Sequence, residues 1–514
     1  MTNTISKLHH ALEIWSFKYN CYEAVHPWTP FCSDSALDIG VTVFGEAIKL
    51  YTPLYLFSQI IQRKYDYDSF KNTCQSIIRS TSFISANAFF ALFFFCSSQY
   101  FTGKFYYYAV AYLPGFIASA MAVLIEKPSR RSSLAFYVAN VASETLFRIY
   151  VGRGYLRPLK YGQVYIFTLS IATLMMMAKK RGFEDDPLSA AIKLIVGPEE
   201  ATTRRSRRRA HEDAIDLDNK ELKSSRLALD KNFKLAQDTE LGTNRLNEYD
   251  NVHAHQTTTS GLAGNFRNTN LFKWMKLIYS ARHPLCPHQD RSCLYYVTRS
   301  SVRALLIGYA VQLGLKLSTK IPMALKDPSV LRSTATDAGI LKFGIFLSTF
   351  TCLFKATNCC LRWTTNCSKP SNCFLAGMVA APALMFYPSP TVALYVLWKC
   401  LEALFNEGVR SGVIENKDFF IVILYGLATS QLFYSALMDP RYMKKSYMAF
   451  LDRISHHKLH MINRSVLDVF GTQASSGYED YFPDLHPKFM SRAFQGSIWV
   501  WMIEQKFPNQ QRHS

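Results

Sequence analysis

Residues 113–154 read LPGFIASAMAVLIEKPSRRSSLAFYVANVASETLFRIYVGRG, and residues 375–412 read LAGMVAAPALMFYPSPTVALYVLWKCLEALFNEGVRSG. Shifted by 262 positions, 113 to 375, the residues Leu113, Gly115, Ala118 and Pro128 fall on Leu375, Gly377, Ala380 and Pro390. Four residues of the first copy drop out near Arg130 to Ser133. At a shift of 258, Ala135, Tyr137, Val138, Glu144, Leu146, Phe147, Val151 and Gly154 then fall on Ala393, Tyr395, Val396, Glu402, Leu404, Phe405, Val409 and Gly412. Shared apolar composition inflates this count of about 12 identities in about 38 pairs, but Gly, Pro and Glu matching in one order is harder to obtain by chance. The stretch predicts a duplicated hairpin of two membrane helices with the Pro at the turn.

Outward from the hairpins, the chain alternates apolar runs with polar connections. Residues 80–103, 105–125, 161–178, 370–398 and 419–438 each lack Asp, Glu, Lys and Arg. A helix of roughly 20 apolar residues spans the hydrocarbon layer, so the near-zero mean hydropathy averages membrane segments with polar ones. Spans are predicted at 36–60, 77–101, 105–126, 133–151 and 161–178, and again at 300–317, 339–356, 373–388, 390–407 and 418–438. The fold class predicted is an all-α integral membrane protein, two repeated helical halves of about five transmembrane helices each, joined by a disordered charged linker. An odd count per half would invert the second copy, as in many transporters. Lys and Arg flank nearly every loop and do not settle orientation.

The predicted boundaries are a polar Cys- and aromatic-rich N-terminal cap at 1–35, a first membrane half at 36–181, the linker at 182–270, a second half at 271–440 and a polar basic tail at 441–514. The linker holds too little apolar surface to offset the entropy of ordering it, and it carries an arginine cluster at 204–209. The formal charge of +20 comes without an aromatic and basic nucleic-acid module, so anionic lipid is the expected partner and nucleic acid is not.

The 12 cysteines do not form a secreted framework, and reduced thiols are the default. Cys96, Cys352 and Cys400 lie inside apolar runs, where a thiol acts as a small hydrophobe. Cys21, His26 and Cys32 fit no standard zinc spacing, and their segment reads as a packed interfacial cap. His283, Cys286, His288 and Cys293 could together hold zinc, but with Pro284 and Pro287 the stretch reads as a turn-rich interfacial segment. Cys359, Cys360, Cys367 and Cys373 follow a helix end beside Trp363 and Lys369, an interfacial neighbourhood where a thiol could be acylated. No metal and no other cofactor is expected. No GxSxG, GxxxxGK or paired His and Glu motif appears, so a catalytic role is not expected either.

The candidate site residues come from the repeat. Glu144 and Glu402 occupy one point of it, and a carboxylate inside a span needs a partner. Arg148 lies one turn after Glu144 and Lys399 three residues before Glu402, on the same helix faces. These pairs either fasten helices or line a common polar path. Gly115 with Ser119, and Gly377 with Ala381, put small residues four apart on one face, where another backbone can approach.

Several stretches resemble the transmembrane protein 135 family, also described as peroxisomal membrane protein 52. They include Asn20 to Glu23 with His26 and Cys32, Leu50 to Leu56, Gly103 to Tyr106, Ser129 to Arg131, Asn140 to Arg148, Ile195 to Gly197, Leu361 to Trp363, and Asn463 to Gly471 with Thr472, Ala474 and Ser475. The resemblance implies a multipass protein of peroxisomal and mitochondrial membranes, with a repeat similar to Tim17-type translocase helices. It also implies roles in mitochondrial fission, peroxisome organisation, lipid metabolism and fat storage. Two functions compete: a non-enzymatic regulator that recruits division machinery such as a dynamin-related GTPase, and a carrier or scramblase for lipids or lipid-derived metabolites. The oligomeric state is left open.

Overall fold

The computed structural model describes residues 16–63, 66–107, 112–182, 187–197, 200, 283–288, 292–324, 327, 329–415, 417–478 and 481–497. The chain is an all-α membrane protein. Among the described residues, ten principal helices follow in order: α1 (Cys32–Ile61), α2 (Tyr67–Thr102), α3 (Tyr112–Val123), α4 (Pro128–Gly152), α5 (Gly162–Arg181), α6 (Cys293–Ala324), α7 (Ala338–Thr365), α8 (Pro370–Ala380), α9 (Pro390–Arg410) and α10 (Lys417–Met438). Among the described residues, α2, α5, α7 and α10 are long and apolar enough to cross a membrane. The third helix of the first half is shorter than the span predicted at 105–126. Phe105 and Tyr106 pair as a strand with Phe17 and Ser16, and among the described residues the helix has 12 residues, about 18 Å at 1.5 Å per residue.

The two hairpins are built alike. Pro128 and Pro390 both open a helix, where a missing N–H leaves nothing unsatisfied. Gly154 and Gly412, both at φ +77, end those helices in the left-handed conformation that glycine adopts without a Cβ clash. The caps match bond for bond: Gly154 N to Val151 O and Leu156 N to Tyr150 O at 3.1 and 3.2 Å, then Gly412 N to Val409 O and Ile414 N to Gly408 O, both at 3.2 Å. The likeness continues upstream, since α2 ends at a left-handed Gly103 and α7 at a left-handed Asn366, a shift of 263.

Two compact units form, residues 1–162 with 394–514, and residues 163–393. They do not follow chain order: α5, from the first half, belongs to the second unit, and α10, from the second half, to the first. In unit 1, Ile421, Tyr425 and Leu432 of α10 share a core with Phe83 of α2, Val123 of α3 and Phe136 of α4. In unit 2, Phe167 of α5 meets Phe346 and Phe350 of α7 edge-on, and α6 crosses α7 where Gly308 and Gly344 bring the backbones together. The tail is knitted into unit 1. Arg464 donates to the final carbonyls of α10, Ala436 O and Leu437 O, at 2.8 and 2.9 Å, and buried Glu23 accepts from the Ser491 hydroxyl at 3.0 Å.

The start of the expected linker is ordered. A helix spans Pro187–Val196, and Glu200 is buried against Arg362. That pair supplies the stabilisation which composition alone did not reveal. Residues 201–282, including the arginine cluster, lie outside the described residues, as do 498–514.

Candidate functional site

Unit 1 contains a partly open chamber of about 340 Å³, within the range of about 300–1,000 Å³ typical of small-molecule sites. Its walls are apolar, with Ile84 and Leu92 from α2, Val138 from α4, Leu432 from α10, and Val25 and Trp28 from the N-terminal cap. Fixed polar groups are few. In the lining, Asn87 Nδ2 donates to the Tyr425 hydroxyl at 3.2 Å, and from behind the wall Ser119 Oγ donates to Asn87 Oδ1 at 3.2 Å. Lys458, also in the lining, donates to Asp38 Oδ2 at 2.6 Å and Thr42 Oγ1 at 2.8 Å. Such a chamber offers hydrocarbon contact with a few anchored dipoles, which suits an apolar molecule with a small polar end.

The repeated acids stand apart from this lining. Glu144 pairs with Arg148 at 2.5 Å and lies 4.0 Å from Lys444. Glu402 pairs with Lys399 at 2.8 Å. Both acids therefore use a cation on their own helix. The small residues sit at helix crossings: a Cβ on Gly115 of α3 would meet Ser430 Cα of α10 at 3.3 Å, and one on Gly377 of α8 would meet Ala172 Cα of α5 at 2.8 Å. Ala172 and Ser430 are themselves related by the 258 shift, so the same crossing is made once in each unit. Ser119 and Ala381 are fully buried.

Two further clusters join residues that sequence grouping kept apart. Cys21, His26, Cys32 and Cys96 have donor atoms all within 4.8 Å of one another, as do Cys286, His288, Cys293 and Cys359. Cys96, read as a small hydrophobe, and Cys359, read with Cys360, Cys367 and Cys373, complete the quartets from α2 and α7. His283 is outside its quartet and bonds Asn366 Oδ1 at 3.0 Å. In unit 2, Cys286 Sγ lies 3.9 Å from Cys359 Sγ, and Cys359 Sγ 3.6 Å from His288 Nε2. The hydrogen bond shared with Cys359, aided by His288 and the Arg362 guanidinium, brings the Cys286 thiol down to about 4. Burial pushes the nearby Glu200 carboxyl up, but Arg362 overrides it and holds the carboxyl below its usual range. The only signal that could have exposed the quartets is spacing: Cys32 and Cys293 open α1 and α6, and Cys96 and Cys359 each precede the left-handed cap of the next long helix by seven residues.

Residues 18–151 match the family described as the N-terminal cysteine-rich region of Transmembrane protein 135. Over that stretch the chain is similar to the transmembrane protein 135 family. The matched region carries the whole Cys21, His26, Cys32 and Cys96 quartet and helices α1 to α3 entire. No solved structure matches the chain.

Proposed function

We propose that this protein is a non-enzymatic multipass protein of peroxisomal and mitochondrial membranes that takes an acyl chain or similar apolar lipid metabolite into the unit 1 chamber. Its influence on mitochondrial fission, peroxisome organisation and fat storage would follow from that lipid handling. The observation carrying this reading is the chamber itself, about 340 Å³ with largely apolar walls and the hydrogen-bonded Asn87 and Tyr425 side chains as its polar end. The presence of this chamber favours the carrier function over recruitment of a dynamin-related GTPase.

The test uses full-length protein in detergent with a photoactivatable fatty acid. Crosslinks should map to chamber-lining residues of α2 and α10 and be competed by unlabelled fatty acid. Ala91→Trp, which fills the chamber from α2, should abolish labelling at unchanged melting temperature and fail to restore lipid storage in null cells. Labelling indifferent to Ala91→Trp would overturn the reading.

A further inference from the structure

We propose that each unit binds one zinc ion in a closed Cys3His site, formed by Cys21, His26, Cys32 and Cys96 in unit 1 and by Cys286, His288, Cys293 and Cys359 in unit 2. Tetrahedral zinc, with Zn–S of about 2.3 Å and Zn–N of about 2.0–2.1 Å, sets its ligand atoms about 3.8 Å apart for two sulfurs and about 3.5 Å apart for sulfur and nitrogen. The spacings in unit 2, 3.9 Å from Cys286 to Cys359 and 3.6 Å from Cys359 to His288, are close to those edges. Three thiols with one imidazole in a tetrahedral arrangement are the donor set that soft and borderline ions select, zinc foremost.

The histidine of unit 1 gives an independent indication. His26 is fully buried. Its Nδ1 lies 2.8 Å from the Thr29 carbonyl oxygen, which fixes the proton on Nδ1 and leaves the lone pair on Nε2. Nε2 is buried without a hydrogen-bond partner. A buried, unpaired acceptor costs free energy, whereas a ligating histidine uses this arrangement, one nitrogen held by a carbonyl and the other facing the metal.

Disulfides do not account for the quartets. All 12 cysteines are free, and three thiols per cluster cannot pair completely. The sites also repeat the architecture of the halves. In each, a cysteine and a histidine precede the first long helix, a cysteine opens that helix, and a cysteine on the next long helix completes the set. The shifts of 261 (32 to 293) and 263 (96 to 359) bracket the 262 of the hairpins. Loading zinc deprotonates the thiols, so Zn²⁺ and three cysteines yield three thiolates and three protons, with no change of oxidation state. The ion would staple the segment before the first helix onto the second helix of the half.

The test is metal analysis of the full chain, purified in detergent without a histidine tag or chelator from zinc-supplemented cells. Two zinc ions per chain are expected, with an X-ray absorption spectrum of three sulfur and one nitrogen neighbours. His26→Ala and His288→Ala should each lower the content to one, and His26→Cys should restore the second ion by supplying a fourth thiolate. Because those variants keep all cysteines, loss of folding is separable from loss of metal by melting temperature. Zinc at buffer level, with the six cysteines open to a thiol reagent or lighter by two hydrogens per disulfide, would overturn the proposal. So would an unchanged zinc content in both alanine variants.

Discussion

The two units contain the same Cys, His, Cys and Cys quartet in different surroundings. In unit 1 the segment bearing Cys21 and His26 is fastened by neutral and charge-assisted hydrogen bonds: Asn20 and Glu23 form a reciprocal cap, Glu23 accepts from Ser491, and Asn463 Nδ2 donates to Glu23 O at 2.9 Å. In unit 2 the quartet stands beside the buried Glu200 and Arg362 pair, with the Tyr296 hydroxyl on Glu200 Oε1 at 3.1 Å. Duplication kept the positions of the ligating atoms while the second layer changed from a peptide network to an ion pair. The difference follows what each cap adjoins. Val25 and Trp28 of the first cap help to wall the chamber. The second cap instead receives the chain segment leaving α5.

The largest expected effect tests that ion pair. Glu200 and Arg362 side chains are 1% and 2% exposed, so Glu200→Gln leaves a buried guanidinium unpaired, a change that costs about 3–5 kcal/mol. Unit 2 should then be cut by protease after α5 at lower temperature while unit 1 persists. The sign with pH follows from the lowered Glu200 carboxyl: its stabilisation is complete above the unfolded carboxylate pKa of about 4.3 and is lost as pH falls through the lower folded value. The parent should therefore lose unit 2 stability on acidification more steeply than Glu200→Gln, measured by melting in detergent across pH. Equal slopes would assign the segment's order to something other than the pair.

Next in size are the equivalent glycines at the two helix crossings. A Cβ at Gly377 would sit 2.8 Å from Ala172 Cα, a backbone atom that can yield only if the helix moves. Overpacking of this kind costs about 1–3 kcal/mol. At Gly115 the nearest atoms are Phe433 Cδ2 at 3.1 Å and Ser430 Cα at 3.3 Å, and a small rotation of the Phe433 ring relieves the first. Alanine also gains about 0.8–1.0 kcal/mol of helix propensity over glycine. Gly115→Ala should thus melt near the parent and Gly377→Ala clearly below it, whereas a common shift would mean the two crossings are equally tight.

How far the sequence anticipated this structure depends on the range of the interaction. Charge-free runs marked α2, α3, α5, α8 and α10, and Pro128, Pro390, Gly154 and Gly412 marked the hairpin ends, because each acts within one turn of its own position. The exchange of α5 and α10 was not legible, since Gly377 meets Ala172 and Gly115 meets Ser430 across hundreds of residues with no local pattern to announce it. Cys96 and Cys359 were hidden for another reason: in an apolar run a thiol and a small hydrophobe have the same periodicity. Glu200 was hidden by its setting, a single acid near the edge of a polar stretch whose composition predicts no order.

The smallest expected effect concerns the acids that the repeat places together. Glu144 and Glu402 look like partners in a common path when only the sequence is read, yet each has its cation on its own helix, Arg148 four residues on and Lys399 three residues back. Each of these pairs lies within one helix, and Arg148 is 44% exposed, so the net contribution of its pair falls in the range of about 0–1 kcal/mol found for exposed pairs. The surroundings still differ. Glu144 has a second cation, Lys444, at 4.0 Å, from the residue preceding the helix Lys445–Ile454, and it therefore ties α4 to the tail. Glu144→Gln should loosen that connection and raise protease access near 444, while Glu402→Gln should leave the digestion pattern unchanged. Neither acid lines the chamber, so fatty-acid labelling should survive the double variant. If labelling is instead lost while the protein remains folded, the acids form part of the ligand path and the chamber extends to them.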